Sequence, residues 1–173
     1  DCMNVYREVA RSSVGRLLVA GESAGGNLAL LVAQLAVNEN IRGPDAMGLL
    51  PPDADLRPDS YLYEPNYTRD PTLSQSILAD VLTAYLPGID PKEPLVSPIF
   101  GDMRGLPPTI ITTGTRDLLL AVCLRTARAM HRANVDVDTR VWNGFWRVFE
   151  YYDDYPESAE SLSEIASFLN RKS

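Results

Sequence analysis

Apolar and polar positions along the chain fall into two kinds of segment. Short apolar runs bounded by turn residues are typical of strands buried in a parallel sheet. Runs of this kind lie at residues 17–20, 46–50 and 109–113, and spaced valines mark a fourth at 135–141. Between them, apolar residues recur every three or four positions, which is typical of helices with one buried face. These stripes predict helices around residues 3–11, 28–35, 77–85, 120–127 and 162–169.

The predicted elements begin with a helix and continue as strand and helix in alternation. Such alternation argues for a parallel sheet with right-handed crossovers. The sequence therefore predicts an α/β fold with a mostly parallel sheet of about four strands flanked by helices, in a single domain over residues 1–173. The pair Pro51 and Pro52 should end the second strand. The following stretch, rich in Pro, Asp and Tyr, should be loop.

Composition excludes several classes of function. The formal net charge is −7, and there is no basic stripe of the kind that nucleic-acid binding requires. The longest apolar stretch, residues 28–37, is too short to span a bilayer, and the first residues do not read as a signal peptide, so we expect a cytoplasmic protein. Cys2 and Cys123 should be free thiols. No metal cluster, phosphate loop or dinucleotide fingerprint is apparent, so we expect no cofactor and no metal.

The turn after the first predicted strand carries the candidate chemistry. Residues 21–25 read Gly-Glu-Ser-Ala-Gly, and this pattern between a strand and a helix presents a serine hydroxyl at the top of a sheet. Ser23 would be a nucleophile, and the N–H of Ala24 would be one oxyanion donor. Side chains at positions 21 and 25 would clash in so tight a turn. The alternative is a glycine-rich turn with a passive serine. The other residues of the predicted turn are Gly21, Glu22, Gly25 and Gly26.

A serine nucleophile needs a base, and the base needs an acid that orients it. Where this motif occurs, the acid follows the serine along the chain, just past a later strand end. Asp117 lies at such a position, after the predicted strand 109–113 and a Gly-Thr-Arg turn. The alternative is that Asp117 only caps the helix after it.

Several segments together resemble the bacterial hormone-sensitive-lipase family of α/β-hydrolase esterases. Residues 21–27, Gly-Glu-Ser-Ala-Gly-Gly-Asn, resemble its nucleophile turn. The resemblance implies a serine carboxylesterase that acts on a small acyl ester and commonly dimerises through its last strand and final helix. Further segments resemble the family's connecting stretches, the strand end that carries its acid, and the loop that carries its histidine; they lie at residues 55–56, 95–98, 105–108, 114–117 and 144–149.

The sequence departs from the family pattern in two respects. Arg147 stands where the family has its catalytic histidine, and a guanidinium, whose pKa is above about 12, cannot accept a proton near neutral pH. The one histidine, His131, should be an exposed residue at a helix end. The family's N-terminal cap and His-Gly-Gly oxyanion segment are not found in the sequence, so the resemblance is to a C-terminal portion. The strand before Ser23 would then become an edge, and we expect a truncated product, an oligomer contact or a rearranged strand.

We therefore expect a carboxylic-ester hydrolase-like protein with little or no turnover from this chain alone. One alternative is a non-catalytic binding module, since plant gibberellin receptors resemble the same family without its histidine. In that reading Arg147, near Ser23, would bind a small carboxylate. Another alternative is a structural partner that pairs through an exposed strand. The expected partners are a small acyl ester or a small carboxylate, and further copies of the chain joined through the strand edge or through the last strand and helix.

Overall fold

Four parallel strands form one sheet in the order β1-β2-β3-β4, and a helix follows each strand, as predicted. The computed structural model describes residues 1–60, 66 and 68–171. The strands are β1 (Leu18–Ser23), β2 (Ala46–Pro52), β3 (Thr109–Gly114) and β4 (Val137–Trp142). The helices are α1 (Cys2–Ser12), α2 (Ala24–Asn38), α3 (Gln75–Tyr85), α4 (Leu120–Arg132) and α5 (Pro156–Leu169).

Helices cover both faces of the sheet. Successive side chains of a strand point to opposite faces, so the adjacent residues Ile110 and Ile111 mark the two sides. Ile111 belongs to the larger core cluster, to which α2 and α4 contribute fully buried side chains such as Leu30 and Val122. Ile110 packs on the other side with Phe168 of α5. Burial on both faces explains why the strands read as continuous apolar runs.

The structure corrects two details of the predicted elements. β2 continues through Pro51 and Pro52 and does not stop before them. A proline cannot donate to a strand ladder, but the pairing of β2 with β3 ends at Leu49, and on the β1 side the register shifts before Pro52 comes to lie opposite Ser23. In the last helix, Ile165 is buried as expected, whereas Leu162 is 47% exposed. Part of the predicted loop after β2, residues 61–65 and 67, lies outside the described residues.

The sheet has its two edges at β1 and β4. β1, the strand that carries the serine turn, pairs with β2 from Leu18 to Ser23 and is the first strand of the sheet that the described residues form. Because the strands are parallel, their carboxyl ends lie in one row along the sheet, which we call the carboxyl edge. Side chains from β1, β3 and β4 and the loops after them come together there. Within the described part of the chain, no helix combines the length and the hydropathy needed to cross a membrane.

Candidate active site

Ser23 lies at a strained turn where β1 ends and α2 begins. Its backbone has φ 52° and ψ −118°, a conformation that residues other than glycine rarely adopt. The Ser23 side chain makes no capping hydrogen bond to α2, which begins at Ala24. The N-terminus of this 15-residue helix carries a partial positive charge, which favours an anion beside the serine. The Ser23 carbonyl accepts a hydrogen bond from the N–H of Asp53 (3.1 Å), which ties the turn to the end of β2.

Two glycines make this turn possible, and they are not quite the pair that the motif suggests. A Cβ on Gly21 would lie 2.2 Å from the carbonyl oxygen of Gly25. A Cβ on Gly26 would lie 2.9 Å from Cα of Pro52. A Cβ on Gly25 would meet nothing within 4 Å, so the expectation that Gly25 is needed to avoid a clash is wrong. The reason is that the position of a Cβ on Gly25 faces open space, whereas the carbonyl oxygen of Gly25 lies close to Gly21.

Asn27 fixes the start of α2 to the surrounding loops. Its side chain is buried, and its Nδ2 donates to the carbonyl oxygens of Asp53 and Val96, both at 2.8 Å. Reasoning from the sequence gave this residue no role of its own. Its only signal was its place in the segment that resembles the family's turn.

The Asp117 carboxyl is held between two donors just beyond β3. Oδ2 accepts a hydrogen bond from Oγ1 of Thr113 (2.7 Å), and Oδ1 accepts one from the N–H of Leu119 (2.7 Å). The Asp117 carbonyl accepts a third from Nδ2 of Asn66 (2.9 Å). The bond to Leu119 is a capping contact at the turn before α4, so Asp117 shapes this helix start as well as facing the site. Sequence reasoning missed Thr113 and Asn66, since nothing in the pattern marked either.

Burial sets the protonation of this carboxyl. Loss of solvent raises the pKa of Asp117 to about 7, and the hydrogen bonds from Thr113 and Leu119 oppose that rise. The charge of Asp70 also raises the pKa of Asp117, while the charge of Arg147 lowers it. Near neutral pH the acid and the carboxylate are therefore both populated.

The loop that carries Arg147 is locked to the end of β3. A Cβ on Gly114 would lie 2.1 Å from the carbonyl oxygen of Phe145, and this oxygen accepts a hydrogen bond from the N–H of Arg116 (2.8 Å). Val148, directly after Arg147, has a left-handed backbone (φ 52°, ψ 42°). The position of Arg147 is thus imposed by close backbone contacts.

The Arg147 side chain reaches the serine turn. It is 19% exposed, and its Nη1 donates to Oε2 of Glu22, the residue before Ser23, at a long 3.5 Å. Its Nε is buried and has no hydrogen-bond partner among the described residues. The structure therefore brings Glu22 and Arg147 into contact beside Ser23, with Asp117 close enough to respond to the arginine's charge.

His131 is not part of this arrangement. It is exposed and lies in the last turn of α4, whose first turn follows Asp117. At about 1.5 Å per residue, the helix carries it about 17 Å from the carboxyl edge of the sheet. The expectation of an exposed histidine at a helix end is confirmed. Among the described residues there is also no group of three or more side chains suited to a metal ion.

Comparison with known proteins agrees with this geometry. A family model described as an alpha/beta hydrolase fold matches residues 1–151. The chain is 32% identical to an esterase of Acinetobacter venetianus, over 88% of this chain and 51% of that protein. It is 29% identical to an acetyl-hydrolase of Streptomyces hygroscopicus, over 98% of this chain and 58% of that protein. The chain thus spans about half the length of such relatives.

Solved structures show the same likeness. A hormone-sensitive lipase from a metagenome library superposes with a TM-score of 0.91 at 29% identity, covering 98% of this chain and 59% of that one. An esterase from the bacterial hormone-sensitive lipase family superposes with a TM-score of 0.87 at 28% identity, covering 95% of this chain and 56% of that one. The chain therefore belongs to the α/β-hydrolase family, and within it the chain is similar to proteins of the hormone-sensitive-lipase type.

Proposed function

We propose that this chain carries the nucleophile of a carboxylic-ester hydrolase site whose turnover is impaired. The observation that carries the proposal is the strained backbone of Ser23 at the junction of β1 and α2. In the reaction, the Ser23 oxygen forms a bond to the acyl carbon of the ester, and its proton passes to a base. The carbonyl oxygen becomes negatively charged and is stabilised by the N–H of Ala24 at the helix start. Collapse of this intermediate releases the alcohol and leaves an acyl-serine.

The impairment follows from Arg147. In a working triad the acid orients a base that accepts the serine proton, and Asp117 is the candidate acid. The guanidinium of Arg147 occupies the base position in sequence but has no lone pair to accept a proton. Losing the base from a triad removes most of the rate and leaves only binding and oxyanion effects. A short-chain acyl ester is the substrate class that the esterase and acetyl-hydrolase relatives suggest.

The test is hydrolysis of p-nitrophenyl acetate by the chain and by Arg147→His. We expect no burst from the unmodified chain and at least about a tenfold gain from Arg147→His, because a positioned general base contributes about 100-fold or more. The gain should vanish in the double variant with Ser23→Ala. Arg104→His, an exposed arginine paired with Asp102, is the matched control and should gain nothing. A burst from the unmodified chain would contradict the impairment, and no serine-dependent gain in Arg147→His would contradict the missing-base account.

A second candidate, a module that binds small carboxylates without turnover, is favoured by one observation. The guanidinium of Arg147 makes a single long bond, and its Nε has no partner among the described residues. Because Nε is buried, a carboxylate would bind at the Nη side of the guanidinium, where the bond to Glu22 is long. Isothermal titration with butyrate should show binding that Arg147→Ala abolishes and Arg104→Ala leaves unchanged. Binding that survives Arg147→Ala would rule this candidate out.

We also propose that the chain associates with itself. The two surfaces suited to this are the edge of β1 and the outer side of β4 with α5. β1 and β4 are the first and last strands of the sheet that the described residues form.

A further inference from the structure

The segment between β2 and α3 packs against the turn that presents Asp117. Nδ2 of the buried Asn66 donates a hydrogen bond to the carbonyl oxygen of Asp117 (2.9 Å). The guanidinium of Arg116 donates to the carbonyl oxygen of Arg69 through Nε (3.1 Å) and Nη2 (2.9 Å). The carbonyl of Asn66 accepts from the N–H groups of Arg69 (2.9 Å) and Asp70 (3.2 Å), which keeps Asn66 and Asp70 near each other. The turn of Asp117 therefore lies against an internally bonded part of this segment.

Asp70 uses its two carboxylate oxygens on two different parts of the chain. Within its own loop, Oδ1 accepts from the N–H of Thr72 (2.8 Å), from Oγ1 of Thr72 (2.8 Å) and from the N–H of Leu73 (3.2 Å). Oδ2 accepts from the N–H of Leu118, 48 residues further along the chain, at 2.9 Å. Hydrogen bonds to an ionised carboxylate are stronger than those between neutral groups. One oxygen therefore holds the loop, and the other holds the turn of the acid.

The two contacts made by Asn66 and Asp70 meet at one peptide group, the one between Asp117 and Leu118. Its carbonyl oxygen is bonded to Nδ2 of Asn66, and its N–H is bonded to Oδ2 of Asp70. A peptide group is planar, so acceptor and donor held at opposite ends fix the orientation of the whole plane. That orientation sets the backbone on the carboxyl side of Asp117. We call Asn66 and Asp70 the acid clamp.

We propose that Asn66 and Asp70 are positioning residues for the acid of the site, since they hold the peptide group after Asp117 at both polar ends and so present its carboxyl in one orientation. In this orientation Thr113 and the N–H of Leu119 donate to the two carboxyl oxygens, both at 2.7 Å. The inference rests on the proposed function, which gives Asp117 the role of the acid, and adds the residues that hold it.

Asp70 also places a negative charge near the acid. Burial is the largest cause of the raised pKa of Asp117, and the charge of Asp70 adds to it. The charge of Arg147, on the loop after β4, lowers the same pKa. Cys123 of α4 interacts with Asp117 as well, and burial raises the pKa of its thiol well above the usual value, so the thiol is uncharged near neutral pH. Asn66 is neutral, so both clamp residues hold the peptide group but only Asp70 acts by charge.

The test combines amide hydrogen exchange with titration of the Asp117 carboxyl, both followed by NMR. In the unmodified chain, protection of the Leu118 amide should be at least about tenfold greater than that of the Lys92 amide, whose acceptor is the exposed Asp90. Asp70→Asn should speed exchange at Leu118 at least about tenfold, because an amide offers one oxygen where the carboxylate offers two. It should also raise the acid dissociation constant of Asp117 at least about threefold, since a negative charge is removed.

Two further variants separate position from charge. Asn66→Ala should speed exchange at Leu118 at least about threefold, because the carbonyl end of the peptide group is released. It should not raise the acid dissociation constant of Asp117, because it removes no charge. Asp90→Asn makes the matched substitution at an exposed aspartate that also accepts from a backbone N–H (2.9 Å), and it should alter neither measurement.

Each outcome bears on a different part of the proposal. Equal protection of the Leu118 and Lys92 amides, or unchanged exchange at Leu118 in Asp70→Asn, overturns the clamp. Faster exchange with an unchanged titration of Asp117 overturns the effect of charge and supports the positioning role. The comparison within the unmodified chain decides the matter even if a variant does not fold. Neither measurement needs turnover, so a failure of the clamp is distinguishable from a failure of ester hydrolysis.

Discussion

The serine turn and the loop of Arg147 face one another at the carboxyl edge of the sheet and differ in what constrains them. At the turn, the backbone suits the proposed chemistry, because Gly21 leaves room for the strained backbone conformation that presents Ser23. At the loop, the backbone is just as constrained, with the Phe145 carbonyl packed against Gly114. Yet the side chain presented there is an arginine whose one hydrogen bond to the described residues is long, at 3.5 Å. The difference teaches that backbone packing holds the position of a site residue without regard to the chemistry that the residue brings.

The turn offers the largest expected effect. Gly21→Ala should destabilise the chain by more than about 4 kcal/mol or prevent folding, because the new Cβ would lie 2.2 Å from the Gly25 carbonyl oxygen. Gly25→Ala is the matched control. Its Cβ meets nothing, and alanine suits a helix better than glycine, so stability should stay level or rise by up to about 1 kcal/mol. Urea unfolding measures both, and similar losses in the two variants would refute this steric account.

Asp117 should make the free energy of unfolding depend on pH. Burial raises the pKa of Asp117 to about 7, while an unfolded aspartate has a pKa of about 3.9. The native chain therefore keeps a proton that the unfolded chain releases. The resulting stabilisation is complete below about pH 4 and is lost as the pH rises to about 7, by up to about 4 kcal/mol. Asp117→Asn stays neutral, so most of this slope should disappear.

Urea unfolding between about pH 4 and pH 8 checks this prediction. Burial also raises the pKa of Glu150, so a smaller slope of the same sign should remain in Asp117→Asn. Asp102→Asn is the control. The hydrogen bonds from Arg104 lower the pKa of the exposed Asp102 to about 2, so its contribution to stability changes mostly below this window and with the opposite sign. An unchanged slope in Asp117→Asn would show that Asp117 does not carry the proton.

The smallest expected effect on stability comes from the side chain of Arg147. Arg147→Gln should change the free energy of unfolding by no more than about 1 kcal/mol, because the guanidinium has a single bond of 3.5 Å and an unpartnered Nε in the described chain. Gly114→Ala, in contrast, should cost several times more, since its Cβ would lie 2.1 Å from the Phe145 carbonyl. Chemical denaturation compares them. A loss above about 2 kcal/mol in Arg147→Gln would mean that the side chain itself holds the loop.

The sequence predicted the strands and helices because their signals are local. Apolar runs and helical stripes report burial, and β3 and α2 match their predicted positions to within a few residues. The proline pair misled the prediction for β2, because proline is harmful only where a neighbouring strand needs its N–H. The strand order agreed with the family resemblance.

The site was predicted in part. Ser23, Asp117 and Arg147 lie where a motif or a resemblance could mark them. Thr113 and Asn66 could not be found in this way, because a hydroxyl or amide becomes part of a site only through the contacts that folding gives it.

Residue order alone predicted the α/β class and the serine turn, since periodicity and glycine spacing need no coordinates. The family resemblance added the prediction that Arg147 stands where a base would be. Tertiary structure alone decided which glycines the turn requires and how Asp117 is protonated. It also decided that Arg147 contacts Glu22. These properties depend on distances between segments far apart in the chain and on the loss of water around them. Such distances and such burial arise only when the sheet and its helices pack together.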